Sequence, residues 1–146
     1  MKKTIAILGS TGSIGINTIN IIKRDKKSFN IILLTANSNI KLITKQAKEL
    51  NVKNLVIYDL KKFKLLKKFF LRKKINIFNS VSEFKTFFKK RIDYTMCAIS
   101  GLSGLKPTLE SISFSREVAI ANKESLICAW NLIHKELLKN KTKFIP

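Results

Sequence analysis

The sequence predicts an α/β fold, with a doubly wound, mostly parallel sheet and helices on both faces. Short apolar runs alternate along the whole chain with amphipathic stretches of helical period. One of these runs, FNIILLTAN at residues 29–37, is an unbroken strand of the kind found in parallel sheets that are covered on both faces. With 146 residues the chain has the length of one domain.

The first half of the chain predicts three strands and two helices. TIAILG, residues 4–9, is short, apolar and ended by glycine, as a buried strand is. In residues 13–24 the isoleucines recur near the helical period, which predicts a helix that begins inside a glycine-rich stretch. The strand at 29–37 is followed by IKLITKQAKEL, a helix over 40–50, and by VKNLVIYD, a third strand over 52–59.

The middle of the chain continues the alternation. Residues 60–74 predict a basic helix, INIF at 75–78 is either a short strand or an extended connector, and 81–90 predict a short helix. IDYTMCAIS, residues 92–100, then predicts a fourth strand.

The last part contains two more strand-to-helix connections. Gly101 and Gly104 begin a turn into a helix, and Pro107 fits the first turn of that helix, where its missing N–H costs nothing. EVAIA at 117–121 predicts a fifth strand and residues 122–140 a long helix. The final KFIP predicts the beginning of a sixth strand.

The chain is strongly basic, with a formal net charge of +20. Such a charge ordinarily indicates a nucleic-acid partner. Here the lysines are spread along the whole chain, arginine is scarce, and Lys, Asn, Ile and Phe are abundant together, as an AT-rich coding sequence favours. We therefore expect no specific nucleic-acid partner.

The lysine-rich run KKFKLLKKFFLRKK, residues 61–74, supports two interpretations. One is a solvated helix face whose lysine stems lie over apolar neighbours. The alternative is a basic amphipathic helix that lies on a membrane surface. We favour the first. The apolar positions of helical spacing are Phe63, Leu65, Leu66, Phe69 and Phe70.

Neither a membrane span nor export is expected. No stretch approaches the roughly 20 apolar residues that cross a bilayer, and glycine at residue 9 interrupts the apolar run that follows MKK. Cys97 and Cys128 lie among apolar residues without a CxxC pair, so we expect both to be reduced thiols of the core. His134 is expected to be a solvated helix residue. These expectations fit a cytoplasmic location.

The stretch GSTGSIG predicts a phosphate-binding loop between the first strand and the first helix. Gly9, Gly12 and Gly15 stand where a dinucleotide-binding, Rossmann-like fold has its glycines, and the helix N-terminus offers free N–H groups to the phosphates. Thr11 and Ser13 add hydroxyl donors. The spacing is GxxGxxG rather than the usual GxGxxG, so the prediction depends on the position of the motif between a strand and a helix. The alternative is a glycine-rich turn that binds nothing.

The end of the second strand indicates which dinucleotide is bound. An acid about 20 residues beyond the glycines would hold the ribose 2′-hydroxyl of NAD. Here the chain has Asn37, Ser38 and Asn39, with Lys41 close by, and no acid. NADP is therefore favoured over NAD.

ANKES, residues 121–125, lies at the end of the fifth strand, where ligands of open α/β sheets bind. Asn122 can bind an amide or hydroxyl, Lys123 an anionic or ketonic oxygen, and Glu124 can accept a hydrogen bond from a cofactor. A capping loop is an equally good explanation of these residues taken alone.

Three motifs, GSTGSIG, AISGLSGL and ANKESL, in this order and at these distances, closely resemble the 1-deoxy-D-xylulose 5-phosphate reductoisomerases. The resemblance covers the whole chain. It implies an enzyme of the non-mevalonate isoprenoid pathway, homodimeric at full length, that rearranges 1-deoxy-D-xylulose 5-phosphate and reduces the product with NADPH to 2-C-methyl-D-erythritol 4-phosphate. A divalent metal, Mg or Mn, holds the substrate's oxygens.

The resemblance also assigns residues. It implies Lys123 as the lysine that contacts the substrate. Where the family has a glycine followed by a basic residue, this chain has Asn37 and Ser38, so the usual cation at the 2′-phosphate is missing. The implied NADPH contacts are Thr11, Gly12, Ser13, Ile14, Asn37, Ser38, Asn39, Asn122 and Glu124.

In the family a sequence like FIP runs into a VDSEH-type segment with the metal-binding acids, and this chain contains none of it. We therefore expect residues 1–146 to be the NAD(P)-binding domain, without the catalytic metal-binding and C-terminal domains, and to bind nucleotide without turnover. Asp25, Asp59 and Asp93 form no acid cluster with one another or with His134.

Two rival functions remain at this point. One is another NAD(P)-dependent dehydrogenase domain, such as a semialdehyde-type enzyme; the absence of a nucleophilic cysteine after a strand, and ANKESL, count against it. The other is a basic nucleotide- or RNA-binding module without catalysis, against which the scattered lysines count.

Overall fold

The computed structural model describes all 146 residues as seven strands and six α-helices. The strands are β1 Lys3–Leu8, β2 Phe29–Ala36, β3 Asn54–Ile57, β4 Asn76–Phe78, β5 Ile92–Cys97, β6 Ser115–Ile120 and β7 Lys143–Ile145. The helices are α1 Ser13–Arg24, α2 Ile40–Leu50, α3 Leu60–Phe69, α4 Val81–Phe87, α5 Leu105–Ile112 and α6 Lys123–Asn140, and a short 3-10 turn, Leu102–Gly104, precedes α5.

All strand pairs are parallel, and the strand order is β4-β3-β2-β1-β5-β6-β7. The chain builds outward from β1 in one direction as far as β4, then returns to the other side of β1 with β5. The order therefore reverses between β1 and β5. In open α/β sheets a crevice for ligands forms at such a switch point, beyond the carboxyl ends of the strands. The predicted doubly wound, Rossmann-like fold is confirmed.

Helices cover both faces of the sheet, and β1 shows how. Ile5 and Ile7 point into a core shared with α1, α2 and α3, whereas Ala6 and Leu8 point into a second core shared with α4, α5 and α6. Because both faces are buried, β1 needs apolar residues at successive positions, which explains why its sequence shows no polar alternation.

Four helices begin at a side-chain cap, which fixes where each starts. The cap residue's oxygen accepts a hydrogen bond from a backbone N–H in the first turn, a contact that typically stabilises a helix by about 1 kcal/mol. These caps are Asn39 for α2, Asp59 for α3, Ser80 for α4 and Asn122 for α6.

Of the two interpretations of INIF, the short strand is correct, and the sheet therefore has seven strands. Two other expectations from the sequence need correction. The basic helix ends at Phe69, five residues before the predicted end at Lys74. Cys128 is exposed, whereas Cys97 is buried as predicted, because α6 turns the face that carries Cys128 away from the sheet.

The apolar stripe of the basic helix is also divided. Leu66 and Phe70 are buried in the core, but Leu65 and Phe69 are each 57% exposed. His134 is exposed, as expected. None of the helices combines the length and the apolar character needed to cross a membrane.

Candidate functional site

The connection from β1 into α1 needs glycine at Gly9 and Gly15 because the backbone is crowded there. Gly9 has φ +81°, and a Cβ built on it would lie 2.9 Å from the carbonyl oxygen of Ala98 on the neighbouring strand's extension. A Cβ on Gly15 would lie 2.2 Å from the Gly9 carbonyl oxygen and 2.6 Å from the Cα of Ser10. These glycines let α1 and β5 close tightly around the loop.

Gly12 differs, because nothing in the chain crowds it. The nearest atom to a Cβ at this position would be the Gly9 carbonyl oxygen at 3.6 Å, an ordinary contact distance, and the backbone is extended with φ −81°. The residue is exposed and lines the crevice. A glycine with free space beside it suits a position that another molecule's atoms approach.

The start of α1 is left open to an anion. Gly12 is the cap residue and provides no side-chain oxygen, and the first turn contains no acid. The N–H groups of Ser13, Ile14 and Gly15 have no acceptor within the chain. Together with the helix dipole, these N–H groups create positive potential at the mouth of the crevice.

The crevice consists of two adjoining pockets at the carboxyl ends of the strands. The larger one, about 450 Å³, extends from the glycine loop across the end of β2 to β3. The smaller one, about 210 Å³, lies between Ile14 and the ANKES segment after β6. Both share residues 98–100, which follow β5 at the switch point.

The structure brings most of the predicted site residues to this crevice. Ser13, Ser38 and Asn39 are exposed nearby but do not line either pocket. The residues that line the larger pocket are Thr11, Gly12 and Asn37, and those that line the smaller one are Ile14, Asn122, Lys123 and Glu124.

The side chain of Asn122 is fully engaged within the protein. Its Oδ1 accepts from the N–H of Ser125 and caps α6, while its Nδ2 donates to the carbonyl oxygens of Ile99, at 2.8 Å, and Gly101. The residue is only 4% exposed. Asn122 therefore ties the loop after β5 to the start of α6 and fixes the distance between two walls of the smaller pocket.

The end of β2 contains no acid, and Thr35 there has a structural role. Thr35 is fully buried, and its hydroxyl oxygen accepts from the N–H of Gly9 at 2.9 Å. Its carbonyl oxygen accepts from the N–H of Ser10. Beyond it, Asn37 and Ser38 are exposed and their side chains make no hydrogen bond within the chain, whereas Asn39 caps α2.

Two parts of the larger pocket were not identified from the sequence. Ser100 and Ser103 line it from the segment after β5, where the glycine turn following a predicted strand was the available signal. Tyr58 lines it from the end of β3. The Tyr58 hydroxyl is buried without a hydrogen-bond partner, and burial raises the pKa of this phenol well above its usual range.

The acids, cysteines and the histidine do not form a metal centre. No three His, Cys, Asp or Glu side chains lie close enough together to hold a metal ion. Cys97 is buried against Ser111, and burial raises the pKa of its thiol to about 11, so it is protonated at neutral pH.

Comparison with known proteins is consistent with this geometry. The chain is 52% identical to the 1-deoxy-D-xylulose 5-phosphate reductoisomerase of Pelagibacter ubique over 148 aligned residues, and 36% identical to that of a Thermoanaerobacter species over 146. Each alignment covers all of this chain but 38% of the relative. The chain thus spans less than half the length of the curated relatives that it matches.

Solved structures agree. The reductoisomerase of Zymomonas mobilis in complex with NADPH superimposes on the whole chain with a TM-score of 0.88 at 35% identity, covering 39% of that structure. A reductoisomerase in complex with NADPH, fosmidomycin and magnesium gives 0.88 at 27% identity, covering 99% of this chain and 36% of that one. An archaeal homoserine dehydrogenase, 15% identical with a TM-score of 0.63, shares the fold alone.

The family model for 1-deoxy-D-xylulose 5-phosphate reductoisomerase matches residues 5–130, which include all three strand-end motifs. This chain therefore belongs to the 1-deoxy-D-xylulose 5-phosphate reductoisomerase family.

Proposed function

We propose that residues 1–146 are the NADPH-binding domain of an enzyme that converts 1-deoxy-D-xylulose 5-phosphate into 2-C-methyl-D-erythritol 4-phosphate. The observation that carries the proposal is the uncapped start of α1, which opens into a crevice at the switch point of the sheet in a chain of this family. The solved relatives include two in complex with NADPH.

The pyrophosphate of NADPH binds at the glycine loop. The N–H groups of Ser13 and Ile14 and the positive end of the α1 dipole stabilise its charge, and the hydroxyls of Thr11 and Ser13 donate further hydrogen bonds. Gly12 lets the phosphates come close to the backbone, since it has no side chain to fill the space beside it.

The adenosine end lies over the end of β2, in the larger pocket. Asn37 and Ser38 have side chains that are free to donate to the 2′-phosphate, and Asn39 starts α2 beside them. No acid stands there to repel this phosphate. Because amide and hydroxyl donors stabilise a phosphate less than a cation does, we expect NADPH to be preferred over NADH by a smaller factor than in relatives with a basic residue here.

The nicotinamide end lies in the smaller pocket. Asn122 holds the walls of that pocket and presents its backbone, Glu124 accepts a hydrogen bond from the cofactor, and the ammonium group of Lys123 faces the substrate's oxygens. Lys123 and Glu124 are both exposed at the rim, where a bound substrate can reach them.

We propose that the whole enzyme is a cytoplasmic homodimer. A divalent metal, Mg or Mn, would hold the substrate's oxygens in it. Solved reductoisomerase structures include complexes with magnesium. No three His, Cys, Asp or Glu side chains of this chain lie close enough together to hold such an ion, and the role that we propose for these residues is to bind and orient the cofactor. The partner we propose is the small-molecule substrate; no specific nucleic acid or membrane partner is proposed.

The test is a titration of the chain with NADPH and NADH side by side at two salt concentrations, followed by nicotinamide fluorescence. We expect saturable binding of NADPH, tighter than that of NADH. Equal affinities would show that Asn37 and Ser38 do not recognise the 2′-phosphate, and the absence of saturable binding of either nucleotide would refute the proposal.

We further propose that this chain alone is inactive as a reductoisomerase. The expected result is no NADPH oxidation above background when 1-deoxy-D-xylulose 5-phosphate and Mn²⁺ or Mg²⁺ are added to the chain at a concentration that binds NADPH. Metal-dependent oxidation of NADPH that requires the substrate would show that the residues present suffice for the reaction.

A further inference from the structure

A buried glutamine of α2 holds the phosphate-binding loop from behind. Gln46 is 4% exposed and lies against Ser10, which is fully buried in the middle of the loop. The Ser10 hydroxyl donates to Gln46 Oε1 at 2.9 Å, and Gln46 Nε2 donates to the Ser10 carbonyl oxygen at 2.9 Å. Two hydrogen bonds of opposite direction therefore fix both the side chain and the backbone of one loop residue.

The other contacts of Ser10 also hold the loop in place. Its N–H donates to the carbonyl oxygen of Thr35, and α1 packs so closely on its backbone that a Cβ on Gly15 would lie 2.6 Å from its Cα. Gly9, one residue earlier, donates to the Thr35 hydroxyl. Each polar group of Ser10 is thus paired, and three elements, β2, α1 and α2, hold it.

Burial of Gln46 would lower the stability of the fold if its side chain did not pair with Ser10. A buried primary amide must pair its donors and acceptor or lose about 1–3 kcal/mol per unsatisfied group. An apolar residue at this position of α2 would pack without that requirement, as the neighbouring buried Ile43 and Ala47 do. The polar residue here is explained by the loop that it contacts.

We infer that Gln46 is a positioning residue for pyrophosphate binding: by holding Ser10, it keeps the free N–H groups at the start of α1 aimed into the crevice. This inference rests on the proposed function, since it needs NADPH as the ligand. Gln46 does not line the cofactor crevice itself, so it acts through the loop rather than by contact with the nucleotide.

The experiment compares Gln46→Met with the wild-type chain, using NADPH and adenosine 2′-monophosphate as ligands. The second ligand has the adenine and the 2′-phosphate but no pyrophosphate. Methionine has a similar length and makes neither hydrogen bond to Ser10. We expect the loop to lose about one well-placed hydrogen bond to the charged pyrophosphate, which raises the Kd for NADPH about tenfold. The Kd for adenosine 2′-monophosphate should stay within about twofold of the wild-type value.

Two further variants separate positioning from general stability. Ser10→Ala removes the hydroxyl but keeps the bond from Gln46 Nε2 to the Ser10 carbonyl, so it should weaken NADPH binding less than Gln46→Met. The double variant should bind NADPH about as well as Gln46→Met alone, because Gln46→Met already removes the hydrogen bond from the Ser10 hydroxyl to Gln46 Oε1 that Ser10→Ala removes. Thr142→Val is the matched control. Thr142 is 7% exposed, and its hydroxyl donates to the carbonyl oxygens of Ile112 and Ser115 at the edge of the sheet opposite the crevice.

The outcomes are distinct. Unchanged NADPH affinity in a folded Gln46→Met chain, or an equal loss for both ligands, would overturn the inference, as would a loss of NADPH affinity in Thr142→Val of the same size. If Gln46→Met does not fold, Ser10→Ala with the two ligands decides the matter alone. A wild-type chain that does not bind NADPH would instead refute the proposed function, and the inference with it.

Discussion

Two glycines of one loop, three residues apart, respond differently to a side chain. At Gly12 a Cβ meets nothing closer than 3.6 Å, whereas at Gly15 it meets a backbone oxygen at 2.2 Å. We expect the free energy of unfolding of Gly12→Leu to lie within about 1 kcal/mol of the wild-type value, because a Cβ at this exposed position meets no atom closer than 3.6 Å and losing a favoured N-cap residue costs about 1 kcal/mol. Its NADPH binding should be lost, since the side chain occupies the space beside the loop. Denaturant unfolding and the fluorescence titration measure the two quantities.

Gly15→Ala is the matched comparison for that variant. Its methyl group must displace the backbone of Gly9 or Ser10, so we expect a loss of about 1–3 kcal/mol in the free energy of unfolding. If Gly12→Leu lost stability as Gly15→Ala does, or kept its NADPH affinity, Gly12 would not be the point at which the phosphates approach.

The two cysteines should differ in reactivity. Cys128 is exposed on α6, whereas Cys97 is buried and the pKa of its thiol is raised to about 11, so almost no thiolate is present at pH 8. We expect a maleimide reagent to add one label per native chain and two per chain unfolded in denaturant, as determined by intact mass. Digestion should locate the native label at Cys128; a label at Cys97 in the native chain would contradict the packing of β5 against α5.

At the scale of elements, β1, β5 and β6 are tied together at the edge of the sheet opposite the crevice. Asp93 on β5 accepts from the N–H and the hydroxyl of Thr4 on β1, and Arg116 on β6 lies 3.4 Å from its other oxygen. The hydrogen bonds from Thr4 and, to a smaller extent, the charge of Arg116 lower the pKa of the Asp93 carboxyl.

The pH dependence of stability follows from that direction. A lowered pKa in the folded state means that the ionised carboxylate stabilises the fold above the unfolded-state pKa of about 3.9, and that this contribution is lost as pH falls through the folded-state pKa. Asp93→Asn should therefore lower the free energy of unfolding at pH 7 and have a smaller effect at pH 3. Asp25→Asn, an exposed acid in no ion pair, is the control. An equal effect of Asp93→Asn at both pH values would contradict the role of the charge.

The element boundaries show what the sequence could and could not reveal. α1 and α2 begin and end as predicted, because apolar spacing and, for α2, the cap at Asn39 mark them locally. The end of α3 was misplaced because the lysine-rich run continues to Lys74 without a glycine or proline to mark a stop, whereas the helix ends at Phe69. Whether INIF pairs with β3 depends on tertiary contacts that no local pattern contains.

The candidate site likewise has some features that the sequence predicted and others that only the structure shows. The strand-end motifs marked the crevice because parallel strands bring their carboxyl ends to one edge. Gln46 was not identified, since a glutamine among lysines in an amphipathic helix resembles a surface residue until the packing of α2 on the loop is known. The engagement of the Asn122 side chain, with bonds to residues more than twenty positions away, was likewise invisible in the sequence.

For the molecule as a whole, the net charge of +20 predicts general attraction to polyanions rather than one nucleic-acid site. Lysines lie on every part of the surface, and the run at residues 61–74 is one concentration among them. We expect weak binding of single-stranded RNA at low salt that falls steeply as salt rises, because each phosphate contact releases counterions.

The distribution of that binding tests the rival function of a basic RNA-binding module. A triple variant of α3 with Lys61, Lys64 and Lys68 changed to Gln should weaken RNA binding by the same factor as a triple variant of Lys26, Lys27 and Lys135. These three lysines are exposed in the turn after α1 and on α6. Both variants remove the same charge, so scattered contacts predict equal salt slopes, each lower than that of the wild-type chain. Filter binding at several salt concentrations measures the slopes. A loss of RNA binding confined to the α3 variant would instead define a nucleic-acid surface at residues 61–74. Unchanged NADPH binding in both variants would then show that this surface is separate from the crevice.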